Sequence, residues 1–412
     1  MKEYHTLDDF NVVNKTVLVR VDFNMPLDKS TLDILDTTRI KRALPTIKEL
    51  VGKKAKTIIL AHQGRKGSWD FTNLEKHATA LEELLGQEVK YVDDVFGEEA
   101  INAINTLQSG AVLLLGNVRT FSGETEKKSP KEHAQSELVK NLYPLVDVFV
   151  NDAFAAAHRS QCSLIGFTAV LPSCAGRLME KELNTLENVL SKPKKPSIFL
   201  FGGAKFSDVI KTIERLLKNK TADKIILTGL PATAFLKAKG IQLGKNNEAI
   251  LLKEGTPEHF NEIKKLLSYY KDQIYLPLDF GIEKDTARNE ITISELPTPY
   301  PIYDIGKKSI DQFKNVLSNA KTVFLSGPCG VFENPIFMKG TKEIFTYVAC
   351  SDSFSIVGGG HTVAAVEQLG LEKEISHIST GGGSLEKFMM GEKLPVVEAL
   401  KKAKYNRFLY QH

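Results

Sequence analysis

The chain has 412 residues, of which 42% are apolar and 25% are charged, and its formal net charge is +4. This length predicts two domains of roughly 200 residues each, and the composition excludes disordered and fibrous proteins. The basic residues are scattered along the chain, so we expect no nucleic-acid partner.

The cysteines and the N-terminal stretch bear on the cellular compartment. Cys162, Cys174, Cys329 and Cys350 lie far apart, without the paired spacing of a zinc site or a secreted disulfide framework. The N-terminus MKEYHTLDDF has no apolar core, and no apolar run approaches the roughly 18 residues of a membrane span. We therefore expect a cytoplasmic protein with reduced thiols and no membrane partner.

Short apolar runs alternate with helix-like segments along the whole chain. In chain order the runs are TVLVRVDF (16–23), KTIILA (56–61), AVLLLG (111–116), VDVFVND (146–152), SIFLFGG (197–203), KIILTG (224–229), IYLPLDF (274–280), TVFLSG (322–327) and SFSIVGGG (353–360). Apolar runs without polar alternation are typical of strands covered on both faces, and their alternation with helices predicts βαβ units. The predicted fold class is therefore α/β, with parallel sheets.

A long amphipathic helix followed by a Lys/Pro cluster divides the chain within residues 171–197. We place the first domain at 1–175, the connecting helix at 176–196 and the second domain at 197–394. The remaining segment, 395–412, has no obvious place in the second sheet.

Polar side chains follow the strands of the first domain, and ligands of an open parallel sheet bind beyond the carboxyl ends of its strands. Arginine holds phosphate and carboxylate groups in a fixed, forked geometry, so five arginines on one sheet edge predict a site for a small, multiply charged anion. Asp22 and Asn24 could orient these cations and bind a substrate hydroxyl, which favours a phosphorylated hydroxy acid. The residues at this edge are Arg20, Asp22, Asn24, Arg39, His62, Arg65, Arg119, His158 and Arg159.

Glycine clusters follow the strands of the second domain. They are GGAK (202–205), TGL (228–230), SGPCG (326–330), GGGHT (358–362) and STGGG (379–383). Glycine lets backbone N–H groups approach a phosphate, and a helix beginning there adds its positive end, so these clusters predict a nucleotide-phosphate site. The spacing of a P-loop or a dinucleotide-binding motif is absent from the sequence. Two anion sites on two domains predict phosphoryl transfer across a closing cleft.

The sequence resembles the phosphoglycerate kinase family, and most of all its archaeal branch, over nearly the whole chain. The matching stretches occur in the family's order: VLVRVDFNMP, DTTRIKRALPTI, AHQGR, VFVNDAFAAAHRS, LPSCAGRLMEKEL, FGGAK, GPCGVFENP, FSIVGGG and ISHISTGGG. The resemblance implies two Rossmann-like domains joined by a hinge helix, with a C-terminal segment that returns to the N-terminal domain. It also implies transfer between 1,3-bisphosphoglycerate and ADP, giving 3-phosphoglycerate and ATP, with Mg²⁺ on the nucleotide. Relatives in this family are monomers or homodimers.

The same resemblance implies roles for individual residues. Arg39 matches the arginine that stabilises the transferring phosphoryl group, and Lys205 matches the lysine that reaches the nucleotide phosphates. The implied substrate-binding residues are Arg20, Asp22, Phe23, Asn24, Arg39, His62, Gln63, Gly64, Arg65, Arg119 and Arg159. The implied nucleotide-binding residues are Gly203, Lys205, Glu333, Gly358, Gly359, Gly360, His361 and Thr362, with Glu333 on the ribose.

Several positions on the nucleotide side depart from the family pattern. His361 stands where the family keeps an aspartate for magnesium, and neutral imidazole is a poor ligand for that hard cation. Val209 replaces a second lysine, and Ser326 replaces an asparagine. We therefore assign no metal ligand with certainty.

These departures leave three hypotheses open. The chain is an active phosphoglycerate kinase with weaker metal use or with His361 donating to a phosphate oxygen, or it is a weak or inactive relative that binds glycerate phosphate as a regulatory module. A kinase for another small acceptor is the third, and the unaltered Asp22, Asn24 and Arg119 speak against it.

Overall fold

The computed structural model describes residues 2–406, which form two compact units. Unit 1 takes in the described residues of Met1–Asn184 and Lys393–His412, and unit 2 is Thr185–Glu392. Among residues 2–406, no helix is both long enough and apolar enough to cross a membrane.

Unit 1 is built on a six-stranded sheet with the strand order β3-β4-β2-β1-β5-β6, and its neighbouring strands pair in parallel. Its strands are β1 (Thr16–Arg20), β2 (Lys56–Leu60), β3 (Val89–Val92), β4 (Val112–Leu115), β5 (Val148–Asn151) and β6 (Ser173–Ala175). The helices that connect them are α1 (Thr38–Gly52), α2 (Glu75–Leu85), α3 (Glu98–Asn105), α4 (Pro130–His133), α5 (Glu137–Leu142) and α6 (Cys162–Ile165). The chain passes from unit 1 to unit 2 within α7 (Arg177–Ser191).

Both faces of this sheet are covered by apolar side chains. Val17 and Val19 of β1 belong to one buried cluster, whereas Leu18, between them, belongs to another with Ile58 and Phe149. Successive side chains of a strand point to opposite faces, so the two clusters are the two sides of the sheet. This explains why the strands appear in the sequence as unbroken apolar runs.

Unit 2 has a second six-stranded sheet, with the order β15-β14-β13-β7-β8-β9 and parallel pairing, and a three-stranded antiparallel sheet, β11-β10-β12. Its strands are β7 (Ser197–Phe201), β8 (Lys224–Leu227), β9 (Ile274–Tyr275), β10 (Asp279–Lys284), β11 (Ala287–Thr292), β12 (Ile302–Ile305), β13 (Thr322–Ser326), β14 (Phe354–Gly358) and β15 (His377–Ile378). Its helices are α8 (Ser207–Lys218), α9 (Gly229–Ala238), α10 (Lys245–Glu254), α11 (Pro257–Tyr270), α12 (Lys307–Leu317), α13 (Lys339–Ala349), α14 (Gly360–Gln368) and α15 (Gly382–Met390). The predicted α/β class with parallel sheets is confirmed.

The run IYLPLDF, which the sequence predicts as one strand, is divided in the structure. Its first residues form β9 and pair with β8, whereas its last residues begin β10 and pair with β11 and β12. Pro277 lies between the two parts. Because proline has no N–H to donate to a neighbouring strand, a continuous central strand is interrupted there.

The final described helix, α16 (Pro395–Tyr405), belongs to unit 1. The backbone N–H of Val396 donates to the carbonyl oxygen of Ala157 at 3.2 Å, and Lys401 pairs with Glu3 at 2.5 Å. The end of the predicted C-terminal segment, residues 407–412, lies outside the described residues.

A buried carboxylate joins α1 to the start of α7 within unit 1. Asp152 accepts hydrogen bonds from the hydroxyl of Thr46 at 2.6 Å and from the N–H of Met179 at 3.0 Å. The same Thr46 oxygen accepts from the N–H of Arg177 at 2.8 Å. Burial raises the pKa of Asp152 to about 6, although these donors act in the opposite direction.

Replacing Thr46 by valine removes both hydrogen bonds while keeping the side-chain volume. We expect Thr46→Val to lower the free energy of unfolding of unit 1 by about 1 to 3 kcal/mol, because a buried carboxylate oxygen and a buried N–H lose their partner. The single tryptophan of the chain, Trp69, lies in unit 1, so its fluorescence during urea denaturation reports this unit. Thr79→Val is the matched control, because Thr79 is an exposed helical threonine whose hydroxyl donates only to a carbonyl of its own helix. Equal effects of the two substitutions would contradict the assigned role of Thr46.

Candidate functional site

The predicted polar and cationic residues of unit 1 lie at the end of β1 and in the loops that follow β1, β2, β4 and β5. Because the strands are parallel, these loops leave the sheet at one edge. Arg39 joins them from the first turn of α1. The predicted residues on this edge are Arg20, Asp22, Asn24, His62, Arg65, Arg119 and Arg159.

Asp22 anchors the first part of this cationic site. Its Oδ2 lies 2.8 Å from Nη1 of Arg39, and its Oδ1 accepts from the N–H of Asn24 at 3.0 Å. Burial would raise the pKa of Asp22, but the positive charges of Arg39 and Arg20 and the hydrogen bond from the N–H of Asn24 hold it at about 2. Asp22 is therefore ionised at neutral pH and fixes one end of the Arg39 guanidinium, which remains 37% exposed.

Amide side chains join the loop after β1 to the loop after β2. Asn24 accepts from the N–H of Gly64 at 2.8 Å, and Gln63 accepts from the N–H of Met25 at 2.8 Å. Phe23, which lies between Asp22 and Asn24 in the sequence, is fully buried. The predicted residues Phe23, Asn24 and Gln63 therefore hold the two loops of the site together.

Arg119 is a buried cation without enough partners. Its Nη1 donates to the carbonyl oxygen of Gly64, but its Nε is buried without a hydrogen-bond partner. Burial, together with the charges of Arg159 and Arg20, lowers the pKa of Arg119 to about 10. The Arg119 guanidinium still carries its proton at neutral pH. The positive charges of Arg20, Arg119 and Arg159 therefore repel one another at this edge.

Arg20 and His62 lie deeper than the sequence suggests. Arg20 is fully buried, and His62 is 2% exposed. Nη2 of Arg20 lies 3.2 Å from Nδ1 of His62, and Oε1 of Glu124 lies 3.9 Å from the same guanidinium nitrogen. Glu124 is a buried carboxylate that sequence reasoning missed, because nothing in the stretch FSGETEKK distinguishes it from the neighbouring surface acid Glu126.

The remaining cations differ in their surroundings. Nε of Arg159 donates to Nε2 of His158 at 3.2 Å, and the charge of Arg159 acts on both His62 and Arg119. The Arg65 side chain is exposed, and within residues 2–406 no contact joins its guanidinium to the cluster. Its ligand role stays a prediction from the sequence.

Unit 2 carries a cavity of about 520 Å³, a volume in the range of small-molecule sites. The predicted residues that line it are Gly203, Lys205, Glu333, Gly359, Gly360, His361 and Thr362. Gly358 ends β14 and is buried beneath this surface. The apolar part of the lining, which includes Phe280, Ile302 and Met389, was not predicted, because these residues come from the antiparallel sheet and α15.

Glycine is needed where the loops of this cavity cross. Gly327 has a φ of +93°, and a Cβ there would fall on the backbone of Gly202. The N–H of Gly202 donates to the carbonyl oxygen of Ser326 at 2.8 Å, and the N–H of Gly327 donates to the hydroxyl of Thr362 at 2.7 Å. The glycines therefore allow three strand ends to converge beneath one surface.

His361 lies at the rim of this cavity, in the first turn of α14. Its side chain is 82% exposed, its Nδ1 lies 3.6 Å from Oε1 of Glu333, and its ring makes a T-shaped contact with the ring of Phe332. Across residues 2–406, no group of three or more His, Cys, Asp or Glu side chains is arranged to hold a metal ion.

Two carboxylates that the sequence analysis did not select also line the cavity. Asp208 and Glu386 lie near Lys205, which is exposed at the same surface. Burial and the charge of Asp208 raise the pKa of Glu386, and Lys205 acts in the opposite direction. Negative charge therefore accompanies the cation at this part of the cavity.

Comparisons with known proteins agree with this architecture of two α/β units, each built on a parallel sheet. The profile of the family described as phosphoglycerate kinase matches residues 7–392. A phosphoglycerate kinase of Methanobacterium bryantii is 47% identical over 401 residues, covering 97% of this chain and 98% of the relative. One from Methanococcus maripaludis is 46% identical, covering 97% and 98%.

Solved structures give the same result. The crystal structure of phosphoglycerate kinase from Pyrococcus horikoshii matches with a TM-score of 0.88 and 40% identity, covering 97% of this chain and 99% of that one. The structure from Coxiella burnetii matches with a TM-score of 0.83 and 31% identity, with the same coverage. The chain is thus a phosphotransferase by class. It belongs to the phosphoglycerate kinase family.

Adding one methyl group at Gly327 tests the convergence of the strand ends. We expect Gly327→Ala to lower the free energy of unfolding by at least about 1 to 3 kcal/mol, the cost of a left-handed backbone for a residue other than glycine. Gly360→Ala is the control, because no atom lies within 4 Å of a Cβ at that position and its backbone is not left-handed. Circular dichroism during urea denaturation measures both variants, and a Gly327→Ala protein as stable as Gly360→Ala would contradict the packing described for this crossing.

Proposed function

We propose that the cationic site of unit 1 binds 3-phosphoglycerate or 1,3-bisphosphoglycerate and that the glycine-lined cavity of unit 2 binds ADP or ATP. The reaction is the reversible transfer of a phosphoryl group from 1,3-bisphosphoglycerate to ADP, which gives 3-phosphoglycerate and ATP. The observation that carries this proposal is the buried Arg119, whose Nε has no partner and whose charge is opposed by two other guanidinium groups. An anionic ligand would supply the negative charge that these guanidinium groups lack.

Different residues of unit 1 bind different parts of the glycerate ligand. Arg119 and Arg159 bind its phosphate, with Arg65 closing over it from the exposed loop. Asn24 and the ionised Asp22 face the hydroxyl and carboxylate end. Arg39, fixed at one nitrogen by Asp22 and otherwise partly exposed, stabilises the charge on the transferring phosphoryl group.

The nucleotide is held mainly by backbone N–H groups of unit 2. The N-terminal end of α14 follows Gly358 and Gly359 directly, so its positive end favours phosphate oxygens. Lys205 supplies a mobile cation from the loop after β7, and Glu333 accepts from the ribose hydroxyls. Phosphoryl transfer needs little more from a protein than this positioning and charge neutralisation.

Magnesium fits this cavity poorly at the position where the family holds it. His361 offers a nitrogen to a cation that prefers oxygen ligands, and its nearest acidic neighbour, Glu333, is assigned to the ribose. Mg²⁺ enters as the complex of the nucleotide phosphates, and His361 contributes as a hydrogen-bond donor to a phosphate oxygen.

The domain assignment follows from these two sites. Residues 1–175 form the glycerate-binding domain, 197–394 the nucleotide-binding domain and 176–196 the connecting helix, and the described part of the predicted segment 395–412, residues 395–406, belongs to the first domain. We place the enzyme in the cytoplasm, where its substrates are produced and consumed.

Arg39→Ala separates transfer from binding. In a coupled assay with 3-phosphoglycerate and MgATP, the unchanged protein turns over, whereas we expect the turnover number of Arg39→Ala to fall about a hundredfold or more, because one charge-stabilising contact is lost. Calorimetry should find that 3-phosphoglycerate still binds. Lys41→Ala, an exposed residue on the same helix, is the control and should retain activity. An equal loss of binding and turnover in Arg39→Ala would contradict the transfer role, and absence of turnover in the unchanged protein would contradict the proposed function.

His361→Asp restores an oxygen ligand at the rim of the cavity. We expect the substitution to lower the Mg²⁺ concentration that supports half-maximal turnover and to tighten the binding of MgADP relative to metal-free ADP, since a carboxylate is the better ligand for this ion. Calorimetric titration with ADP in the presence and absence of Mg²⁺ measures the difference directly. His361→Asn removes the imidazole without adding charge. If His361→Asn shifts the magnesium dependence as much as His361→Asp, the carboxylate is not responsible and the explanation is wrong.

A further inference from the structure

A buried row of polar groups runs behind the cationic site of unit 1. Oε2 and Oε1 of Glu124 accept from the N–H and the hydroxyl of Ser163, at 2.8 and 2.6 Å. The Ser163 oxygen accepts from Nε of Arg20 at 2.8 Å, and Nη2 of Arg20 lies 3.2 Å from Nδ1 of His62. All four side chains are buried, and Glu124, Ser163 and Arg20 are fully so.

The donors and acceptors that each side chain possesses fix the direction of every hydrogen bond in this row. A guanidinium group has only donors, so Arg20 must donate both to Ser163 and to His62. The single hydroxyl proton of Ser163 goes to Glu124, which leaves a lone pair of its oxygen for Nε of Arg20. Nδ1 of His62 is therefore the acceptor, and the ring proton of the neutral imidazole is on Nε2.

The surroundings of His62 oppose a second ring proton. Burial lowers the pKa of His62 well below its ordinary value, and the charges of Arg20, Arg119 and Arg159 lower it further, while Asp22 acts in the opposite direction. The guanidinium of Arg20 also occupies the position that a proton on Nδ1 would need. His62 is thus a neutral side chain with one N–H group.

We propose that Glu124 and Ser163 are positioning residues that, through Arg20, fix His62 in the tautomer with its proton on Nε2. Nε2 makes no hydrogen bond with any of residues 2–406, so its N–H is available to a ligand. An N–H group attracts an oxygen of phosphate or carboxylate, whereas the other tautomer would present a lone pair to it. Arg20 acts from behind the site, since its N–H groups are directed to Ser163, to His62 and to the carbonyl oxygen of Val21.

The tautomer can be measured in the unchanged protein. Two-bond proton–nitrogen correlation spectra of the ¹⁵N-labelled chain distinguish a protonated from an unprotonated ring nitrogen, and the spectrum of His62→Gln assigns the signals. We expect His62 at neutral pH to show an unprotonated Nδ1 and a protonated Nε2. A His62 signal with the proton on Nδ1, or one of the imidazolium form, overturns the proposal whatever the activity of the protein.

Substitutions in the row test the positioning role. Ser163→Ala removes the acceptor for Nε of Arg20, and Glu124→Gln removes the negative charge with little change in shape. We expect either change to mix the His62 tautomers and to raise the KM for 3-phosphoglycerate about tenfold, as for a lost hydrogen bond to a charged group. The KM for ATP should change by less than about twofold, as for a substitution away from its site.

A serine in the same region supplies the control. Ser136 caps α5 and contacts Cys162, the neighbour of Ser163, but it does not touch Arg20. Ser136→Ala should leave the tautomer and the KM for 3-phosphoglycerate as they are in the unchanged protein. If Ser163→Ala and Ser136→Ala raise this KM equally, or if Ser163→Ala leaves the tautomer unmixed, the row has no positioning role. The KM arm rests on the proposed function, whereas the tautomer arm does not, so the two can fail separately.

Discussion

Repulsion among guanidinium groups at one edge of a parallel sheet is the constraint on which the rest of unit 1 depends. Parallel strands deliver their loops to the same edge, so Arg20, Arg119 and Arg159 act on one another there. Asp22 and Glu124 offset part of this positive charge from within. The remainder, expressed in the lowered pKa of Arg119, is the positive charge that an anionic ligand would neutralise under the proposed function.

Unit 2 presents backbone N–H groups, rather than arginine side chains, at its candidate phosphate site. Its strand ends converge only because residues such as Gly202 and Gly327 have no side chain. This brings helix N-termini and N–H groups to the cavity surface without fixed cations, and Lys205 is accompanied by Asp208 and Glu386. A nucleotide that carries its own divalent cation suits such a surface better than a bare anion would, which is consistent with a rim that offers His361 in place of a carboxylate.

Much of this could be predicted from the sequence, because strand periodicity and the residues after each strand are local signals. The two parallel sheets and the residues at their carboxyl ends follow from such signals. Long-range packing was beyond reach. The burial of Arg20, the burial of Glu124 in preference to the nearby Glu126, and the contribution of Phe280 from an antiparallel hairpin all depend on segments distant in the chain. Pro277 is visible in the sequence as a possible break, but the apolar residues on both sides of it favour a single strand.

The most direct test of the central claim is a fluorescence titration of the purified chain, with Trp69 reporting unit 1, by 3-phosphoglycerate and by glycerate. If unneutralised guanidinium charge drives binding, 3-phosphoglycerate saturates the site, added salt weakens it, and glycerate, which lacks the phosphate, binds far more weakly. Equal affinity for the two ligands, or binding of 3-phosphoglycerate that is indifferent to salt, would contradict the account.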